Sequence, residues 1–165
     1  MAGDNETGER ENNRAVFAPG REGEWSAEQI ALMMVPATPY SVALGFRYVS
    51  SSPGRGSILL PWREDLVGAA GSGILAPGAV TALIDQTCGL AIMAYVGNLA
   101  QPATLDLRID HLRPARPGAS VTAAAHCYKA TRTIAFLRSE AWDDSPDDPV
   151  ATAQAAFTLN RREGA

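Results

Sequence analysis

A chain of 165 residues with 46% apolar content is long enough to form one domain with a proper core. Its formal charge of −4, without a basic run or an aromatic-rich basic patch, argues against nucleic-acid binding. Cys88 and Cys127 lie in apolar contexts with no metal-ligand spacing to His111 or His126, which reads as two buried free thiols in a reducing compartment.

Residues 1–23 are polar, charged and aperiodic, the composition of a disordered tail. They hold no apolar run of the signal-peptide kind, so cytoplasm is the expected location. Ser26-Ala-Glu-Gln29 has the form of a capping box, and Ile30, Leu32, Met33 and Met34 follow it. This predicts a short helix that ends before Pro36. Residues 40–44 add a further turn, closed by Gly45.

Strands begin at 46–51, turn at Pro53-Gly54 and continue from Arg55 to about Trp62. Residues 66–73 are glycine-rich and read as a flexible loop. They lack the Gly-Lys-Ser/Thr ending of a phosphate loop and the strand–glycine–helix setting of a dinucleotide fingerprint.

Residues 78–95 then form the centre of the chain. Asp85 is the one charged side chain before Tyr95, Gln86 the one amide, and the rest is apolar or small. A helix apolar nearly all round is a buried helix, and this one is short and polar in its middle for a membrane span. A carboxylate placed there is either paired structurally or kept for chemistry. Its helical face, three, four or seven positions away, carries Gly78, Thr81, Ala82, Cys88, Gly89 and Ile92. All but Ile92 are small, and such a groove leaves room for a substrate chain.

Three or four strands follow. Residues 104–112 alternate, with Leu105, Leu107 and Ile109 on one side and Thr104, Asp106, Arg108 and Asp110 on the other. Residues 120–129 and 133–142 make a hairpin, an acidic turn occupies 143–148, and 150–159 is the last strand. Residues 161–165 are a tail, leaving one domain over 24–160. Two strands, one buried helix and a run of antiparallel strands make an α+β domain, a sheet curled around its helix. Dimerisation is an economical way to cover its open edges, and the 104–112 strand is the expected seam.

The stretch Gly73 to Asp85, then Thr104-Leu-Asp-Leu-Arg-Ile-Asp-His-Leu-Arg-Pro-Ala115, Cys127-Tyr-Lys-Ala-Thr-Arg132 and Ala135-Phe136 resemble the phenylacetyl-CoA thioesterase (PaaI-like) group of hotdog-fold acyl-CoA thioesterases. The resemblance covers roughly residues 36–160. It implies a five- or six-stranded antiparallel sheet around the helix, dimers that join into one continuous sheet and often pair into tetramers, and an active site at the subunit interface. The family motif is Gly-x-x-His-Gly-Gly with an acidic residue seven positions on, matched here by Gly73, Gly78 and Asp85. By similarity Asp85 is the catalytic carboxylate, acting as nucleophile or as base for water, and Thr104 orients that water. The thioester oxygen would bind at the helix N-terminus around Gly78.

Two positions depart from the pattern. Ala76 replaces the family histidine and Pro77 the first glycine, so an N–H that commonly polarises the thioester carbonyl is absent. The Asn or Gln common just before the motif is missing too. Arg113, Arg116, Lys129 and Arg132 cluster near strand ends, where they could hold coenzyme A phosphates or be solvated surface charge. Ala76, Pro77, Thr81, Ala82, Cys88, Gly89, Arg113 and Arg132 are the substrate-binding candidates. A Cys88–His111–Asp85 nucleophile set is a further arrangement the sequence allows. Two functions remain: an acyl-CoA thioesterase for a small aryl or short- to medium-chain acyl group, or a hotdog module that binds acyl-CoA with little hydrolysis. Neither implies a metal, a cofactor beyond the substrate's own coenzyme A, nucleic acid or a membrane.

Overall fold

The computed structural model describes residues 25–99 and 101–159. The expected tails, 1–23 and 161–165, lie outside the described residues. Helix α1 (Ala27–Ala37) starts with the expected capping box: Ser26 Oγ accepts from the Gln29 N–H at 3.2 Å, and Gln29 Oε1 accepts from the Ser26 N–H at 2.9 Å. It does not stop before Pro36 but runs through it. In the last turn a proline forfeits one backbone bond, to the carbonyl of Leu32, and Leu32 lies on the exposed side of the helix. Thr38 closes the end, its N–H and hydroxyl both donating to the Met34 carbonyl. Helix α2 (Pro39–Leu44) follows and is capped by Gly45 in the left-handed region.

Strands β1 (Arg47–Ser52) and β2 (Arg55–Leu60) form the first hairpin. A one-turn 3-10 helix (Glu64–Leu66) and the loop to residue 76 lead into α3 (Pro77–Val96). Strands β3 (Ala103–His111), β4 (Val121–Ala130), β5 (Ile134–Trp142) and β6 (Ala151–Thr158) complete one antiparallel sheet in the order β1-β2-β4-β5-β6-β3. This is the hotdog arrangement: a six-stranded sheet wrapped around one long helix. By length and composition α3 could cross a membrane, yet 72% of its most apolar window is buried inside this domain. Leu83, Ile84, Leu90 and Ile92 are wholly buried, as are Ile58, Leu60, Val121 and Leu137 in the same core cluster. Where β2 crosses α3 only a glycine fits, because a Cβ on Gly56 would come within 2.7 Å of Leu90 Cγ.

Edge strand β3 departs from the simple alternation expected of it. A bulge between Thr104 and Asp106 inserts Leu105 as an extra residue against β6. Below the bulge, Leu107, Ile109 and His111 oppose the inward residues Ala155, Ala153 and Ala151. Above it, Thr104 opposes Phe157, which is also inward. The bulge therefore turns Thr104 toward α3 and leaves Leu105 exposed, the reverse of a regular strand.

Candidate active site

That reversal brings two distant residues together. Thr104 Oγ1 donates to Asp85 Oδ1 at 2.8 Å, joining the edge strand to the third turn of α3. Asp85 is half-buried at a cavity of about 220 Å³. Gly89 and Met93 follow Asp85 at successive four-residue steps on the same face of α3 and line its floor, while Met34 of α1 and Phe157 of β6 form walls. Gln86 also lines it, its Nε2 turned to Thr38 Oγ1 at 3.4 Å.

A second cavity of about 310 Å³ lies at the start of α3, bounded by Pro77, Val80, His111, Arg113 and the glycine-rich loop. That loop is anchored, contrary to the flexible loop its composition suggests. Gly68 N–H donates to the Ile74 carbonyl and Ala76 N–H to the Leu66 carbonyl, closing a small hairpin. Its Gly73 carbonyl accepts both from Trp62 Nε1 at 2.7 Å and from the Gly118 N–H at 2.9 Å. Composition shows the glycines but not the distant donors that fasten them.

The first turn of α3 presents one open donor. Pro77 has no N–H, and the N–H groups of Ala79 and Val80 both point to the Ala76 carbonyl. Gly78 is exposed, its N–H has no partner among the described residues, and nothing lies within 4 Å of where its Cβ would be. A helix N-terminus with a free amide favours negative charge.

The remaining candidates separate. Ala76 is the N-cap of α3. Thr81 and Ala82 are half-buried on α3 and line neither cavity. Cys88 does not face the groove: it is wholly buried, and burial, reinforced by the charge of Asp85, pushes its thiol up to about 12. A thiolate is thus out of reach near neutrality, and His111 lines the other cavity, so the Cys88–His111–Asp85 set does not assemble. Arg113 borders the larger cavity, but its terminal nitrogens are already engaged. They donate to both oxygens of Asp143 and to the carbonyls of Pro114 and Asp148, and its Nε is ion-paired with the Asp148 carboxylate at 3.0 Å. It is a clamp between connectors rather than a free phosphate ligand. Arg116 pairs with Asp143 and Asp144, and Arg132 is exposed in the β4–β5 turn, away from both cavities. Composition did not single out Thr38, Phe157 or the two methionines as cavity walls. They are ordinary core types, and no local signal marks their convergence.

A family model described as thioesterase superfamily matches residues 72–150. A Pseudomonas aeruginosa protein of known crystal structure is 31% identical, with a TM-score of 0.74 over 80% of this chain and 98% of that one. The phenylacetic acid degradation protein PaaI of Thermus thermophilus, solved as a point mutant, is 26% identical, with a TM-score of 0.64 over 73% of this chain and 98% of its own. The Escherichia coli PaaI protein, from the phenylacetic acid degradation operon, shares the fold at 20% identity, with a TM-score of 0.71 over 81% and 92% of the two chains. No curated protein matches the chain.

Proposed function

The chain belongs to the thioesterase superfamily, and from that membership we propose that it hydrolyses acyl-CoA thioesters carrying a small aryl or short- to medium-chain acyl group. The observation that carries this reading is the 2.8 Å bond from Thr104 to Asp85 beside a cavity. Thr104 occupies one carboxylate oxygen and leaves the other to act. As a base, Asp85 takes a proton from water as the water oxygen adds to the thioester carbonyl. The C–S bond then breaks, and the same proton is available to the departing thiolate. As a nucleophile, Asp85 would add to the thioester carbonyl and expel the coenzyme A thiolate as the C–S bond breaks, leaving a mixed anhydride that water opens to the free acid and the Asp85 carboxylate.

The carbonyl oxygen needs a donor about 3 Å away while it carries negative charge. Gly78 has the free N–H, but seven residues of helix separate it from Asp85, roughly 10 Å at 1.5 Å per residue. One thioester cannot touch both groups of a single subunit. The edge position of β3 offers the solution. Two copies pairing antiparallel about the centre of β3 would set the Thr104 end of one strand beside the His111 end of the other. Asp85 of one copy would then meet the helix start of its partner, with the partner's Gly78 as donor. This is a homodimer with two composite sites, in the cytoplasm, needing no cofactor beyond the substrate's coenzyme A.

The missing amide at Pro77 favours a second reading, a module that binds acyl-CoA with little hydrolysis. One screen separates the two. Aryl-, short- and medium-chain acyl-CoAs are incubated with the wild type and with Asp85→Asn, and free thiol is measured. Thiol release that depends on Asp85 supports the esterase, and binding without release supports the module.

A further inference from the structure

Gly89 stands in the middle of α3, where glycine destabilises a helix relative to alanine. Two ordinary reasons for a buried glycine fail here. Its φ is not positive, so the backbone does not demand it. Nor does a close neighbour, since a Cβ built on it meets nothing nearer than Met34 Cε, at an ordinary contact distance of 3.8 Å. Gly56, by contrast, is explained by Leu90 Cγ at 2.7 Å. What a bare Gly89 preserves is space, and the space is the cavity of about 220 Å³ beside Asp85.

We propose that this cavity is the acyl subsite and that Gly89 sets the largest acyl group it accepts; the inference rests on the thioesterase reading above. Asp85, Gly89 and Met93 succeed one another along one face of α3, so an acyl chain whose carbonyl lies at Asp85 runs over Gly89 toward Met93. Met34 and Met93 bound it with flexible, polarisable side chains that adapt to chain or ring. Phe157 adds an aromatic wall, and Gln86 is turned aside to Thr38. Pro102 completes an apolar wall with Met34, Met93 and Phe157, and Gln101 adds one amide to the lining. These apolar walls suit an acyl group better than the pantetheine arm, which must leave toward solvent with its nucleotide. A cavity of about 220 Å³ lies at the small end of ligand pockets and suits one short unbranched chain or one aromatic ring.

The test is Gly89→Ala, compared with the wild type over acetyl-, butanoyl-, hexanoyl-, octanoyl- and phenylacetyl-CoA. One methyl in an apolar pocket discriminates by about tenfold or more. The ratio of kcat/KM for the longest accepted chain to that for acetyl-CoA should fall by about that factor. The thermal midpoint should hold or rise, because alanine suits the helix and finds room, so lost activity would not reflect unfolding. An unchanged ratio in a folded variant overturns the proposal. So does a uniform loss across the series with weaker inhibition by free coenzyme A, which would put the pantetheine arm there instead. If the wild type hydrolyses none of the series, calorimetric titration of the same compounds reads the subsite without chemistry. A length-selective loss of affinity in Gly89→Ala then sustains the subsite while the esterase reading fails. A uniform loss, an unchanged profile or no binding at all rejects the subsite as well.

Discussion

Thr104 stands directly opposite Phe157 across the β3–β6 ladder, on the face of the sheet that meets α3, although plain alternation from Asp106 would put it on the outer face. The extra residue at Leu105 makes the difference. A bulge near an active site commonly re-aims one side chain without disturbing the rest of the strand. Here it delivers a hydroxyl to the carboxylate of Asp85.

Asp85→Asn should lower turnover by about a hundred- to ten-thousandfold, the usual contribution of a positioned base, with the circular dichroism spectrum unchanged. The amide keeps the shape and can still accept from Thr104, but it neither attacks nor takes a proton. Thr104→Ala should lose about tenfold, the value of one hydrogen bond to a charged group, and Thr104→Ser should recover most of it. Steady-state kinetics on one accepted acyl-CoA measures all three. A greater loss at Thr104 than at Asp85 would reverse their roles.

The proposed joining through β3 would make quaternary structure part of the chemistry. Leu105 and Leu112, each 56% exposed, flank the edge strand with apolar surface. The wild type should sediment as a dimer or a larger even assembly at micromolar concentration. Leu105→Glu with Leu112→Glu should shift it toward monomer and remove turnover together, since like charges would then crowd the seam. A monomeric wild type with full activity would rule out the composite site.

Much of this architecture is legible in residue order alone, because each long element repeats one local rule. The apolar run around Asp85, the Ser26–Gln29 box and the alternating strands after residue 120 carry their own periods. What escapes is set by contacts between distant residues. The bulge at Leu105 is stabilised by pairing with β6, and alternation in one strand cannot reveal it. Gly73 is held by Trp62 and Gly118, so glycine content misleads about mobility. Cys88 shares a helical quadrant with Asp85 by spacing, but the sheet closes over it. At the candidate site, Asp85 stands out as a lone carboxylate in an apolar helix. Thr104 is marked only by resemblance, and the walls Met34 and Phe157 by neither.

The clamp of Arg113 on Asp143 makes a prediction about acid. The Asp143 side chain is fully out of solvent and accepts from both terminal nitrogens of Arg113 and from the Arg116 N–H. The Arg113 guanidinium holds this carboxyl well below the usual range, against an opposing push from burial. A carboxyl depressed in the folded state lends its stability above its unfolded value, about 3.9, and loses it as pH falls toward the folded one. Asp143→Ala should therefore unfold about 2 kcal/mol more easily at pH 7, the scale of hydrogen bonds to a charged group. The gap should narrow once the pH drops below about 4. Urea titrations at pH 7, 5, 4 and 3 measure it, and a gap constant across that range would refute the assignment.

The last prediction concerns Pro77, where one amide is missing from a helix start that otherwise faces open space. Ala79 and Val80 spend their N–H groups on the Ala76 carbonyl, so Gly78 keeps the open N–H of this helix start, the donor proposed for a thioester oxygen. Pro77→Gly would add a second N–H beside it. Since removing one such donor elsewhere lowers rates by a hundredfold or more, restoring one should raise kcat severalfold, to about tenfold. The gain should fall on kcat, because the donor meets charge that exists only in the transition state. KM should rise at the same time, since Pro77 is part of the wall of the larger cavity and glycine loosens the turn. Adding Ala76→His to Pro77→Gly should increase kcat further if a side chain there steadies the turn. The measurement is a full Michaelis curve for the wild type and both variants on one aryl and one medium-chain acyl-CoA. If both variants bind substrate normally and neither outpaces the wild type, the single N–H of Gly78 already supplies the polarisation this site can use.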